Sequence, residues 1–261
     1  MMTIQKYVKA ESLQQAYELN QNKRNRILGG MLWLKMSDIT VPTAIDLSGL
    51  GLDTIEETDE SFSIGAMVTL RQLEQHLGLN SYTQNAVEKA VRDIVGVQFR
   101  NMATVGGSIF GRFGFSDVLT VFLAFDSYVE LYKGGVIPME TFVNMEKDRD
   151  ILVRVLVKKR PARFTYQTMR NSKTEFPVLA CASARVGEEY RIAIGARPAR
   201  AMVLRDREGL LSGGVTQATA QAFAEYAAKN VPTGSNIRGS AAYRTHLVRV
   251  LTQRALLELE D

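Results

Sequence analysis

The sequence predicts a chain of mixed helix and strand whose arrangement changes along its length. Three observations carry this: a strand–glycine–strand order in the N-terminal third, an antiparallel pattern over residues 151–196, and two amphipathic segments that close the chain.

Glu11 to Asn22 places Leu13, Ala16, Tyr17 and Leu19 at helical spacing. Arg26 to Leu28 is a short apolar run that stops at Gly29-Gly30, and an apolar stretch from Met31 to Met36 follows. Pro42 to Leu50 reads as a second buried strand ending in a glycine turn. That order suggests a small parallel βα unit. Ser63 to Val68 is strand-like. Thr69 with Gln72 forms a capping box ahead of LRQLEQHL, and Ser81 with Gln84 repeats the signature ahead of a predicted helix over 85–95. Residues 96–116 are irregular and glycine-rich, and DVLTVFLAF is a short apolar helix. Tyr128 to Leu131 and Val136-Ile137 read as strands around a Gly134-Gly135 hairpin.

Four runs follow, ILVRVLVK, RFTYQTMR, VLACASARV and EYRIAIGA, each with strand patterning. KKRPAR at 158–163 is the best linker candidate. Thr216 to Lys229 and Ala241 to Glu258 are predicted helices. In the second, Leu247, Val250, Leu251 and Leu257 form an apolar stripe.

With 261 residues, 46% hydrophobic and 23% charged, the chain is long enough for one large domain or two modest ones, and a disordered chain is excluded. No apolar run reaches the roughly 18 residues of a membrane span, and the start lacks a signal-peptide core, so a cytoplasmic protein is expected. A lone Cys181 excludes disulfides and a thiolate-held cluster within the chain, and two histidines make a histidine metal site an unpromising reading. Cys181 sits in a strand pattern and reads as a buried structural thiol. Residues 1–150 hold 14 basic and 19 acidic side chains, whereas residues 151–261 hold 18 and 9. Such asymmetry fits a solvated basic surface, an anionic ligand or a docking face.

No P-loop, G-x-G-x-x-G fingerprint, nucleophile elbow or Ser/His/Asp set is present. What stands out are two glycine clusters. In Leu28-Gly29-Gly30-Met31-Leu32-Trp33-Leu34, a glycine pair leaving a strand lets backbone N–H groups converge on an anion. In Thr104-Val105-Gly106-Gly107-Ser108, followed by Ser116 and Asp117, hydroxyls, a glycine pair and a carboxylate lie close in sequence. Phosphate needs the donors and a ribose diol needs the carboxylate, so together the clusters favour a dinucleotide that carries its own chemistry. Each glycine pair taken alone is more often an ordinary turn.

RNMATVGGSIFGRFGFSDVLTVFLAFDSYVEL (100–131) resembles the second flavin motif, R-N-x-A-T-I-G-G-N then S-D-L or A-D-L, of the FAD-binding subunits of molybdenum hydroxylases. NRILGGMLWLKM with PTAIDLSGL, FSIGAMVTLRQLE and RGSAAYRTHLVRVLTQRAL are similar to the family's other segments, in the same order. The resemblance implies an α+β fold in three parts. A FAD-binding domain over 1–158, made of a small βαββ unit (about 1–55) and a larger mixed α+β unit (56–158), precedes an antiparallel sheet with helices over 159–261.

It also implies noncovalent FAD, with Ile27, Leu28, Gly29, Gly30, Met31, Leu32, Trp33 and Leu34 and then Thr104, Val105, Gly106, Gly107 and Ser108 around the pyrophosphate. Ser116 and Asp117 would lie at the ribose, and Ile94, Leu152 and Tyr166 near the ring or adenine. The implied role is electron relay. A molybdenum-binding subunit and an iron–sulfur subunit with two [2Fe–2S] clusters would hold the metals, and an acceptor such as NAD would take the electrons. Met31 and Leu32 replace the family's Thr and Asp, Ser108 replaces Asn, and Phe115 replaces a small residue. An assembly subunit that has lost FAD, and a basic nucleic-acid or anion-binding module, are the alternative readings.

Overall fold

The computed structural model describes residues 1–260. Strand β1 (Thr3–Lys9), helix α1 (Leu13–Asn20), β2 (Arg26–Leu28) and β3 (Thr40–Asp46) form a parallel sheet of order β1-β3-β2. Ser12 starts α1 by accepting a hydrogen bond from the Gln15 N–H. The apolar segment after Gly29-Gly30 is only one 3₁₀ turn, Leu34–Met36, because Met31 turns the chain at φ +58°.

A five-stranded antiparallel sheet of order β4-β5-β8-β6-β7 comes next, from β4 (Ile55–Glu57), β5 (Ser61–Gly65), β6 (Ser127–Leu131), β7 (Gly135–Pro138) and β8 (Leu152–Lys158). Between β5 and β6 run α2 (Leu70–Gln75), α3 (Leu77–Tyr82), α4 (Ala86–Val91), α5 (Val97–Arg100), α6 (Val105–Phe110) and α7 (Asp117–Ala124); α8 (Met139–Asn144) follows β7. The Thr69–Gln72 capping box forms as the spacing predicts. The expected helix over 85–95 ends early, at Val91, because the chain turns after it and Val95 adopts left-handed backbone at φ +51°. Ser81 lies inside α3 and caps nothing. Asn80 takes that part instead, its Oδ1 accepting from the Glu88 N–H at 3.0 Å.

The strand pattern over 151–196 divides between two sheets. β8 pairs with β5 and β6, while β9 (Ala162–Met169), β10 (Leu179–Val186), β11 (Glu189–Gly195) and β12 (Met202–Arg205) make a separate antiparallel sheet. Strand alternation gives pairing propensity but not the partner. Two helices, α9 (Gln217–Asn230) and α10 (Ala241–Glu258), pack together, and α10 also packs on β9 and β10. The buried face of α10 is Leu247, Val248, Leu251, Ala255 and Leu256, so Val250 and Leu257 of the expected stripe lie at its edge.

Every residue of α7 is buried, wedged between the five-stranded sheet's helices and strands β10 and β11. That burial seats Ser116 and Asp117 at the junction of the two larger sheets. No described helix is long and apolar enough to cross a membrane.

Candidate cofactor cleft

The first glycine loop leaves β2 and lies against the segment that enters α6. A Cβ on Gly30 would sit 2.0 Å from the Met102 carbonyl oxygen, and one on Gly29 would sit 2.8 Å from Thr104 Oγ1. Glycine is required here by close approach to a second backbone. Among the described residues, no protein acceptor takes a hydrogen bond from the N–H groups of Gly29 through Trp33. These five residues, with Leu34, line a cleft of about 500 Å³, so their donors are left for a ligand.

The second cluster is built differently. The Val105 N–H donates to Val68 O at 2.8 Å, and the Gly106 N–H donates to Ala66 O at 2.7 Å. Gly107 N–H donates to Thr104 Oγ1 at 3.2 Å, and Ser108 N–H to Thr104 O at 3.0 Å. The segment is the capped start of α6, fastened to the chain that leaves β5. The sequence suggested a glycine pair with exposed donors; the donors of Val105 and Gly106 are engaged within the protein. Thr104, Gly107 and Ser108 still border the cleft, while Val105 is fully buried in the core.

Ser116 caps α7 through the Leu119 N–H and donates its own hydroxyl to Ser108 O at 2.8 Å, tying the helix to α6. Asp117 lies beneath it on the cleft floor, 4% exposed. The Tyr166 hydroxyl donates to Asp117 Oδ1, and Arg170 Nη2 lies 2.9 Å from that oxygen. Burial pushes the Asp117 carboxyl up, with Arg170 and Tyr166 pulling it back. The Tyr166 hydroxyl is raised well above its ordinary value by burial and by the Asp117 charge. The Arg170 side chain is 6% exposed; its Nη1 donates to Glu175 O, its Nη2 pairs with Asp117, and its Nε has no partner. Arg170 also lines the cleft. A buried Nε–H without a partner calls for an electronegative acceptor atom.

Aromatic rings close the mouth. Trp33 stacks on Phe176 at 5.5 Å and 25°, and Phe115 meets Phe176 at 4.4 Å and Phe113 at 5.3 Å. Ile27, Met31, Leu32, Leu34 and Ile94 complete the apolar lining. An adjoining cleft of about 400 Å³ shares Ile27, Gly29, Thr104 and Gly107 and adds Leu28, Gly106 and Leu152. Tyr166 lines neither cleft but holds Asp117 from below. Arg100, which opens the second cluster, is 5% exposed; it forks onto Glu74 at 2.8 and 3.2 Å and donates to Ile94 O. Sequence reading missed Arg170 and Phe176. The only local signal was a basic and an aromatic residue flanking a polar turn, which is too common to single out.

A glycine loop of free donors, a buried guanidinium and a long aromatic-edged groove together define a site for a large anionic cofactor with planar rings. The profile described as FAD binding domain in molybdopterin dehydrogenase matches residues 2–159, and that of the CO dehydrogenase flavoprotein C-terminal domain matches 164–259. The chain belongs to this family of FAD-binding flavoproteins of the molybdenum hydroxylases. It is 26% identical to the nicotine 6-hydroxylase medium subunit of Paenarthrobacter nicotinovorans, over 97% of this chain and 96% of the relative. It is 28% identical to the xanthine dehydrogenase FAD-binding subunit of Escherichia coli O157:H7, over 77% and 74%. Its fold matches a chain of carbon monoxide dehydrogenase from Hydrogenophaga pseudoflava with a TM-score of 0.85 at 22% identity, covering 97% of this chain and 96% of that one.

Proposed function

We propose that the chain is the electron-relay subunit of a cytoplasmic molybdenum-containing hydroxylase or dehydrogenase complex. It receives electrons from [2Fe–2S] clusters on a partner subunit, a second partner holds the molybdenum cofactor, and an acceptor such as NAD takes the electrons. FAD, held noncovalently, supplies the redox chemistry when bound. The observation that carries the reading is the row of free N–H donors from Gly29 to Trp33 at the edge of the cleft. These donors bind the pyrophosphate, and Thr104, Gly107 and Ser108 form the facing wall. Arg170, held by Asp117, offers its remaining Nε–H and its charge to the cofactor, while Ile27, Ile94 and the aromatic rim exclude water from it. Leu28, Gly106 and Leu152 extend the groove. Residues 1–158 act as the FAD-binding domain, in parts of about 1–55 and 56–158, and residues 159–261 supply Arg170 to the cleft and Tyr166 to the support of Asp117.

One observation favours a second reading, an assembly subunit without FAD: Trp33, Phe115 and Phe176 contact one another at the cleft, Trp33 stacked on Phe176 and Phe115 tilted against both. Titrating FAD into the purified chain separates the two. Quenched flavin fluorescence at one FAD per chain, with a raised melting temperature, supports the relay; no quenching and no shift supports the assembly reading. Size-exclusion chromatography with co-expressed cluster-bearing chains tests the partners. Failure to associate contradicts the relay.

A further inference from the structure

Arg244, in the first turn of α10, is fully buried, and its side chain donates only to neutral oxygens. That is a costly place for a cation. Burial and the neighbouring Arg238 charge both pull the guanidinium below its ordinary pKa, and a helix N-terminus disfavours positive charge. An apolar side chain of similar volume would avoid the desolvation, so the use of the group lies in what its N–H bonds fix.

Those bonds reach two separate segments. Nε donates to Val178 O at 2.8 Å, on the chain that enters β10. Nη1 donates to Gly234 O at 2.8 Å and to Gly239 O, and Nη2 donates to Asn236 Oδ1 at 2.7 Å. The same Asn236 oxygen accepts from the Arg238 N–H at 2.9 Å, and Asn236 and Gly239 exchange backbone hydrogen bonds at 3.1 and 3.2 Å. A Cβ on Gly239 would lie 3.1 Å from Val178 Cγ1, so this turn presses on the first segment. The Val178 N–H donates to Met169 O at 2.7 Å, which closes the β9–β10 connection that carries Arg170 and Phe176.

Both segments reach the cofactor cleft, and Arg244 does not. The Arg238 guanidinium lies 5.0 Å from the centre of the Phe176 ring, and the Asn171 side chain donates to Arg238 O at 3.2 Å. Phe176 stacks on Trp33 of the first glycine loop. Contacts therefore run unbroken from α10 through two turns to the loop whose amides are free. A planar fork holds several oxygens in one fixed arrangement, whereas an ammonium on a flexible stem is a point charge.

We propose that Arg244 is a positioning residue. By fixing the turn of Arg238 and the Val178 end of the β9–β10 connection, it sets where Phe176 and Arg238 stand against Trp33 over the cofactor cleft. The proposal rests on the flavin reading for the ligand that fills the cleft, while the clamp itself is made of this chain's own contacts.

Trp33 is the one tryptophan of the chain, so its emission reports the stack on Phe176 without any ligand. Two variants of the full chain are compared with wild type by Trp33 emission and by FAD titration, with folding checked by far-ultraviolet circular dichroism. Arg244→Lys keeps the charge and loses the fork; its emission should shift to the red and its FAD affinity should fall about tenfold. Asn236→Ala, at an exposed position, removes one acceptor of the clamp. It should shift emission the same way and weaken FAD about threefold, with little change in melting temperature. A lowered melting temperature in Arg244→Lys with wild-type emission and FAD affinity makes the residue a structural support only and overturns the proposal. A shift in emission with unchanged FAD affinity overturns it too. If Arg244→Lys does not fold, Asn236→Ala decides by the same two readings. A wild-type chain that binds no FAD contradicts the flavin reading; Trp33 emission then decides the clamp, a red shift in the variants supporting it and wild-type emission overturning it.

Discussion

The two glycine pairs, Gly29-Gly30 and Gly106-Gly107, come from distant parts of the chain and pack against each other, yet their backbones end in opposite states. The first loop is glycine because the Met102 carbonyl and Thr104 hydroxyl crowd it from one side, which leaves its N–H groups free on the other. The second is glycine because Ala66 O lies where a Cβ on Gly106 would go, 2.8 Å away, and its N–H groups are consumed by that same contact. One motif is a ligand-facing cradle, and the other is the buttress that holds it in place. Glycine content alone does not distinguish a binding loop from a packing contact; the fate of the amide hydrogens does.

The comparison is broken most forcefully at the floor of the buttress. Asp117→Ala leaves Arg170 and Tyr166 buried without their acceptor, so unfolding stability should fall by about 3–5 kcal/mol in urea melts, with FAD affinity falling as well. Asp117→Asn, which can still accept from Tyr166, should fall less. Equal stability of Asp117→Ala and wild type would mean the aspartate is not part of the support.

Gly30→Ala comes next. A methyl group 2.0 Å from a carbonyl oxygen forces the loop off its buttress. Stability should drop by about 1–3 kcal/mol and FAD affinity by at least about tenfold, measured by calorimetry and fluorescence quenching. Gly107→Ala is the control, since its Cβ would meet only Thr104 Oγ1, at 3.2 Å, within a helix. It should change stability by less than about 1 kcal/mol, because alanine's helix propensity offsets the tight contact. A smaller effect at Gly30 than at Gly107 would reverse the assignment of roles.

Thr104→Ala removes the cap of α6 and should cost about 1 kcal/mol of stability, read from the denaturation midpoint. The smallest effect is in pH. Burial raises the Glu74 carboxyl, but hydrogen bonds from Arg100 and Arg71 outweigh it and hold the group below its ordinary value. A lowered carboxylate pKa contributes stability above the ordinary value of 4.5, and that contribution is lost as pH falls through the lowered one. Stability should therefore decline below about pH 4.5, and Glu74→Gln should flatten that limb. The free amides of the first loop do not titrate, so acid acts through the buttress.

Much of the fold is legible from local signals. The Thr69–Gln72 capping box, the Gly134-Gly135 hairpin and the termini of α10 follow from residue chemistry within one turn of chain. The buried thiol of Cys181, pushed up to about 12 by burial, also follows from its apolar strand. What escapes is long-range. Which sheet β8 joins depends on partners some ninety residues earlier, at Ser61 to Gly65. The charge state around Asp117 depends on Tyr166 and Arg170, which arrive from another sheet. The aromatic closure needs Phe176 to cross from the turn after β9 to Trp33. Sequence motifs place the two glycine clusters near one ligand, but only packing decides which cluster keeps its donors.

Hydrogen–deuterium exchange of the backbone amides, with and without FAD, tests that division of roles most directly. The amides of Gly29 to Trp33 should exchange rapidly in the free chain and become protected on FAD binding, while those of Val105 and Gly106 should be protected in both states. Protection gained at residues 105–108, with residues 29–33 unchanged, would contradict the account.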